Sequence, residues 1–205
     1  MNDTALDVER ARAMAAEGAL LIDLRPIPSY LERHVTGSIP LLFEDGPGLG
    51  GRARDLLPLD AKLLLIEDDS SPLPQAAAMF RGKGFNVVGT CDAASRWSRS
   101  ETSTTAIWTL EQAGDMTLID VKDPGAEAPD GVLVIPAERL WALGGDLDRS
   151  APLGVLAGWG VWAAAAVGIL ENMGLSPSFV RTRPSGATPP NVNSDPTIFR
   201  VDGEA

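Results

Sequence analysis

Apolar residues in this chain gather into short continuous runs, and each run follows a stretch with helical spacing. Residues 8–17 read as a helix leading into Ala19-Leu20-Leu21-Ile22-Asp23-Leu24-Arg25, apolar until its charged end. Such a run predicts a strand buried on both faces, as in parallel sheets. The order then returns: residues 107–113 read as helix and lead into Met116-Thr117-Leu118-Ile119-Asp120-Val121-Lys122. Each copy continues with an Ile-Pro turn (Ile39-Pro40, then Ile135-Pro136), a short charged helix and a second apolar strand at residues 62–66 and 153–156. Alanine-rich helices follow at 74–81 and 162–172, closed by Gly84-Phe85 and Gly174-Leu175, since glycine past the last turn is a common helix stop. Glu67 to Gly84 and Ala157 to Gly174 span the same number of residues. The copies therefore stay in step from strand end to helix end, the signature of an internal repeat.

Strands alternating with helices at this pitch predict the α/β class, with two domains that are each a small, mainly parallel sheet flanked by helices. The expected boundaries are residues 1–100 and a shorter unit at 101–175, joined by a Ser/Thr-rich linker at 95–105. From 176 to 205, Pro184, Pro189, Pro190 and Pro196 stand among Ser, Thr and Asn, which predicts an extended or disordered tail. Within it Thr197-Ile198-Phe199-Arg200-Val201 is a β-prone run suited to adding onto a sheet edge.

Composition narrows the chemistry. A formal charge of -11 over 205 residues argues against nucleic acid or an anionic membrane as partner. The single cysteine, Cys91, and single histidine, His34, exclude an internal disulfide and a multi-histidine metal site. No P-loop and no G-x-G-x-x-G after a strand is present, so no cofactor and no metal are expected. Met1-Asn2-Asp3-Thr4-Ala5 lacks the features of a signal peptide, and a cytoplasmic location is expected. Residues 151–170 carry no charge and have the length of a membrane span, yet Pro152, Gly154, Gly158, Gly160 and Gly168 interrupt them, so membrane attachment is the lesser reading.

The element order, with Leu21-Ile22-Asp23-Leu24-Arg25, Tyr30, His34-Val35-Thr36-Gly37-Ser38-Ile39-Pro40, Gly84-Phe85-Asn86-Val87 and Trp97, resembles the rhodanese family in the tandem arrangement of its sulfurtransferases. Copy two matches through Leu118-Ile119-Asp120-Val121-Lys122, Ile135-Pro136 and Gly160. The resemblance implies a reactive cysteine in the loop after the second strand of each copy, within a ring of backbone N–H groups at a helix N-terminus that stabilises thiolate and persulfide. Counting back from the closing glycines puts Glu67 and Ala157 at these two positions, so neither loop carries sulfur. Loop one holds three acids, Glu67, Asp68 and Asp69, followed by Ser70, and its charge repels anionic donors. Cation capture by these acids is weighed against a solvated loop, the commoner role of consecutive acids. Loop two is uncharged and sets Trp159 and Trp162 beside Gly160, either as an apolar recognition surface or as filling between the domains.

These features predict a catalytically inactive rhodanese-like protein that acts as a protein-binding or regulatory module, with a protein as its partner. The alternative is a sulfurtransferase or sulfur carrier using Cys91 or a partner's persulfide. Cys91 is expected to lie away from the cradle as a buried inert thiol, and His34 to shape a turn. Asp23 with Arg25, and Asp120 with Lys122, read as structural charge pairs at strand ends.

Overall fold

The computed structural model describes residues 5–43, 48–121, 130–156 and 160–181. The first half runs α1 (Val8–Ala16), β1 (Leu20–Asp23), α2 (Ile27–Glu32), β2 (His34–Val35), β3 (Ile39–Pro40), α3 (Gly48–Leu56), β4 (Lys62–Ile66), α4 (Leu73–Gly82) and β5 (Asn86–Cys91). Asp7 starts α1 as its N-cap, its carboxylate accepting the Arg10 N–H at 2.8 Å. Two 3-10 turns follow, then β6 (Thr102–Ser103). The second half contains β7 (Ile107–Thr109), β8 (Thr117–Asp120), β9 (Leu133–Val134), α5 (Leu140–Leu143), β10 (Leu153–Leu156), α6 (Val161–Asn172) and β11 (Pro177–Arg181).

Two parallel sheets, of four and five strands, carry the fold. The first has the order β3-β1-β4-β5, and the second, read from its matching edge, β9-β8-β10-β11-β7. Strand for strand the orders correspond. Even the outermost β7 has a counterpart, because Ala5 forms a single parallel bridge to Thr90 on the edge of the first sheet. The repeat read from the residues is thus a repeat of topology, and the α/β class with two helix-flanked parallel sheets stands.

Three sequence expectations change. Residues 107–113, expected as helix, form the edge strand β7 and a turn; Ile107 and Trp108 favour extended structure, and only seven residues separate β7 from β8, too few for a helical crossover. The linker at 95–105 is a packed segment, with β6 pairing antiparallel to β2. Residues 177–181, expected as part of the tail, form β11, hydrogen-bonded in register to β10 and β7 with Phe179 and Val180 buried, and residues from 182 on lie outside the described residues. The expected tail run 197–201 lies outside the described residues.

Within the uncharged stretch 151–170, residues 153–156 and 163–170 are buried inside the protein. The stretch comprises β10 and most of α6, and among the described residues no helix is long and apolar enough to cross a membrane. In α6 every side chain from Ala163 to Leu170 is buried, as expected of a helix apolar all round. It packs on β3, α2, α5, β10 and β11, between the two sheets. Gly168 permits this approach: a Cβ there would lie 2.4 Å from the Ser38 carbonyl oxygen and 2.9 Å from Ile39 Cα. One hydrophobic core therefore continues through both halves, from Ile22 and Leu65 to Val167 and Phe179. Each large aliphatic side chain that α6 buries contributes roughly 1.5–3 kcal/mol.

Candidate functional site

In open parallel sheets the chemistry collects where strands end and helices begin. At that edge of the first sheet β4 ends at Ile66, residues 67–72 turn, and α4 starts at Leu73. Alternation along β4 sends Leu63 and Leu65 into the main core and Leu64 and Ile66 into a second cluster under α1. Glu67 comes next and is 9% exposed. Its backbone N–H donates to the Cys91 carbonyl at 3.1 Å and its carbonyl accepts the Ala94 N–H at 3.0 Å, which fixes the mouth of the loop.

The carboxylate of Glu67 folds back into its own loop. Oε2 accepts the Asp69 N–H at 2.6 Å. Burial pushes this carboxyl above the usual range, against the pull of the Asp69 and Asp68 N–H groups and with the nearby negative charges of Asp68 and Asp23 adding to the rise. The neighbouring acids are engaged in the same way. Asp68 Oδ1 accepts the Ser95 N–H at 2.6 Å and Oδ2 meets Arg25 Nη1 at 3.5 Å, while Asp69 accepts the Ser71 N–H at 2.9 Å and its hydroxyl at 3.0 Å. The Ser71 bonds hold exposed Asp69 below the usual carboxylate range. The three carboxylates thus serve backbone donors and Arg25, and no cluster of potential metal ligands occurs among the described residues.

Beneath the loop, Arg25 grips Asp23 as a fork. Nε donates to Oδ1 at 3.0 Å, and Nη2 donates to Oδ2 at 2.7 Å and to the Arg33 carbonyl at 2.9 Å. Both residues are buried, and a planar bidentate pair of this kind orients both partners. Arg25 is the hub that joins Asp23 at the end of β1 to Asp68 in the loop. Asp120 occupies the equivalent place at the end of β8 and is also buried; Lys122 lies outside the described residues.

Cys91 is nearer the loop than the sequence suggests, because its carbonyl receives the Glu67 N–H. Parallel pairing of β5 with β4 places Cys91 beside Ile66. Its thiol points the other way, into the cluster of Ala11, Leu21, Leu64, Ile66 and Trp97, and is 1% exposed. Burial pushes the thiol above its ordinary value.

The second loop is seen in part. Ala157 and Trp159 lie outside the described residues; Gly160 begins α6 at φ 53°, and Trp162 is half-buried against the common core.

Sequence reasoning underestimated His34. Its Nδ1 meets the Tyr30 carbonyl at 2.8 Å, its Nε2 meets Glu171 Oε2 at 2.9 Å, and its ring stacks on Tyr30 at 4.0 Å. Glu171, near the end of α6, also accepts the Gly37 N–H at 2.7 Å and the Ser103 hydroxyl at 2.7 Å, and Asn172 Nδ2 donates to the Gly37 carbonyl at 3.0 Å. This polar joint ties the first half to the second. Glu171 carried no signal along the chain, because a lone acid late in an apolar helix reads as a solvent-facing residue.

No family model matches the chain. It is 33% identical over 84 residues to the thiosulfate sulfurtransferase GlpE of Pseudomonas entomophila, covering 41% of this chain and 73% of that protein. Among solved structures, the thiosulfate sulfurtransferase of Pseudomonas aeruginosa is 15% identical with a TM-score of 0.40, over 89% of this chain and 44% of that one. The rhodanese-fold SseA of Escherichia coli is 15% identical with a TM-score of 0.39, over 87% and 98% respectively. With its strand order and its match to most of a sulfurtransferase, this chain belongs to the rhodanese-like sulfurtransferase family.

Proposed function

We propose that this chain is a rhodanese-like protein without sulfur-transfer chemistry of its own, acting as a protein-binding or regulatory module. The observation that carries this reading is the Glu67 carboxylate. It follows β4 directly, the place the family resemblance gives to the cysteine, and it accepts the Asp69 N–H, a backbone donor of that turn. A carboxylate cannot form a persulfide, and its negative charge opposes thiosulfate at the same donors. Cys91 is a poor substitute, since a buried thiol with a raised pKa supplies little thiolate. Transfer of sulfur from thiosulfate to cyanide is the test, with mass spectrometry of Cys91 after exposure to the donor. The expected result is no turnover above buffer and no persulfide. Turnover typical of the fold, or a persulfide on Cys91, overturns the proposal.

A further inference from the structure

His34 is buried where the end of α2, β6 and α6 meet. The partners of its ring determine where its protons are. Nδ1 lies 2.8 Å from the Tyr30 carbonyl, an acceptor with no proton to give, so Nδ1 carries one. Nε2 lies 2.9 Å from Glu171 Oε2. That carboxylate already accepts the Gly37 N–H on Oε2 and the Ser103 hydroxyl on Oε1, each at 2.7 Å. Burial alone would raise the Glu171 carboxyl, but the His34 and Gly37 bonds hold it below its ordinary value, so it faces the ring ionised. Nε2 must then carry a proton as well. Ser103 Oγ, 3.0 Å from Nε2, has spent its one proton on Glu171 and meets the ring as an acceptor. A ring with two protons satisfies every contact, whereas a neutral ring sets one nitrogen lone pair against an oxygen at 2.9 Å or less.

The other charges on the surrounding elements are engaged elsewhere. On α2 Glu32 is exposed, and Arg33 after it donates to the Trp97 carbonyl and to Thr102. Glu101, ahead of β6, is held by Arg12 and Ser98. Arg96, on the turn packed against β2, is exposed, and Asp23 at the end of β1 is taken by Arg25. Tyr30 stacks on the ring and donates its hydroxyl to the Ser38 carbonyl. Among the described residues, Glu171 is therefore the one carboxylate that meets the ring.

We propose that His34 is a proton-gated latch between the two halves of the chain. With two protons it clamps the end of α2 to Glu171 and leaves the Ser103 hydroxyl on Oε1, so α2, β6 and α6 are fastened at one carboxylate. When Nε2 loses its proton, its contact with Glu171 turns repulsive, and the Ser103 hydroxyl rotates to donate to Nε2 instead. Both bonds to Glu171 are then lost together, leaving the Gly37 N–H and the Asn172 amide to hold the end of α6. The contact between the halves thereby follows the pH around the protein. None of these groups lies in loop 67–72, so the latch is independent of whether the chain binds a partner or transfers sulfur.

His34 is the chain's one histidine, so the ring-nitrogen NMR spectrum of the full chain reports a single residue. A pH series reads the proton on each nitrogen, while amide exchange at Gly37 and Met173, expressed as protection factors, reads the joint. The expected result is a ring protonated on both nitrogens while the joint is closed. Protection at Gly37 and Met173 should then fall about tenfold along the same pH curve on which Nε2 loses its proton, the weight of one hydrogen bond to a charged group. His34→Gln keeps a donor toward Glu171 without a titrating ring, so its protection should stay flat over that range. The parent's own titration decides the matter should this variant fail to fold. The latch is overturned by a ring with one proton in the closed state, or by one that keeps both protons until the chain unfolds. Protection that does not move with the ring, or a His34→Gln chain with the parent's pH step, overturns it equally.

Discussion

Replacing Glu171 with alanine strikes the joint between the two halves. Its carboxylate receives His34 Nε2, the Gly37 N–H and the Ser103 hydroxyl, all within 2.9 Å. Hydrogen bonds to a charged acceptor net about 1.5–3 kcal/mol each, but they share one carboxylate and do not add. Removing the carboxylate leaves buried donors without their acceptor, at about 1–3 kcal/mol for each group left unsatisfied and less where water reaches it. The expected loss for Glu171→Ala is therefore about 2–4 kcal/mol, a fall in Tm of roughly 10 °C for a chain of this size. Glu171→Gln keeps an acceptor without the charge and should lose about half as much.

The pH dependence has a definite sign. Burial raises the Glu171 pKa, yet the hydrogen bonds from His34, Gly37 and Ser103 outweigh it and leave the carboxyl below its ordinary 4.5. A carboxyl with a depressed folded pKa stabilises fully above its unfolded value, and that contribution disappears as pH falls through the folded one. Urea unfolding followed by circular dichroism, at neutral pH and in steps below the ordinary glutamate pKa, measures both effects. The reasoning is refuted if Glu171→Ala unfolds within about 1 kcal/mol of the parent at neutral pH, or if its stability falls with acid as steeply as the parent's.

Two further outcomes are expected. Gly168→Ala forces a methyl against the Ser38 carbonyl and Ile39 backbone, so it should destabilise by about 1–3 kcal/mol or more in chemical denaturation although alanine favours helix; a gain in stability would show that α6 and β3 are not tightly packed. Cys91 should resist a thiol reagent in the native protein and react quickly once denaturant is added, because the thiol is buried with a raised pKa; fast native labelling would contradict its placement.

Much of the fold was legible because buried parallel strands have a direct one-dimensional signature. Lys62–Ile66 and Leu153–Leu156 appear in the structure as they read in the chain, and Gly84 and Gly174 end their helices at φ 95° and 81°. Residues 107–113 misled because a short amphipathic stretch before a strand resembles the helix that fills that place in the first copy. Only the number of residues available for the crossover decides against it. In the loop, the residue types pointed to lost sulfur chemistry, but the return of the Glu67 carboxylate to the Asp69 N–H depends on a side-chain torsion that no spacing encodes. The joint at Glu171 was hidden for another reason: its partners His34, Gly37 and Ser103 are more than sixty residues away in the chain.

The buried position of α6 also bears on how the protein is made. Its inner neighbours include β3 and α2 of the first half, and Glu171 closes the His34 turn. During synthesis the first sheet leaves the ribosome well before this helix, so its inner side, with Ile39 and Ser38, stays open until the chain has been made through Asn172. A polypeptide stopped at the repeat boundary would carry a complete first sheet and an apolar gap beside it. The duplication visible in the chain is thus not a division of its core, because α6 of the second copy packs against β3 and α2 of the first.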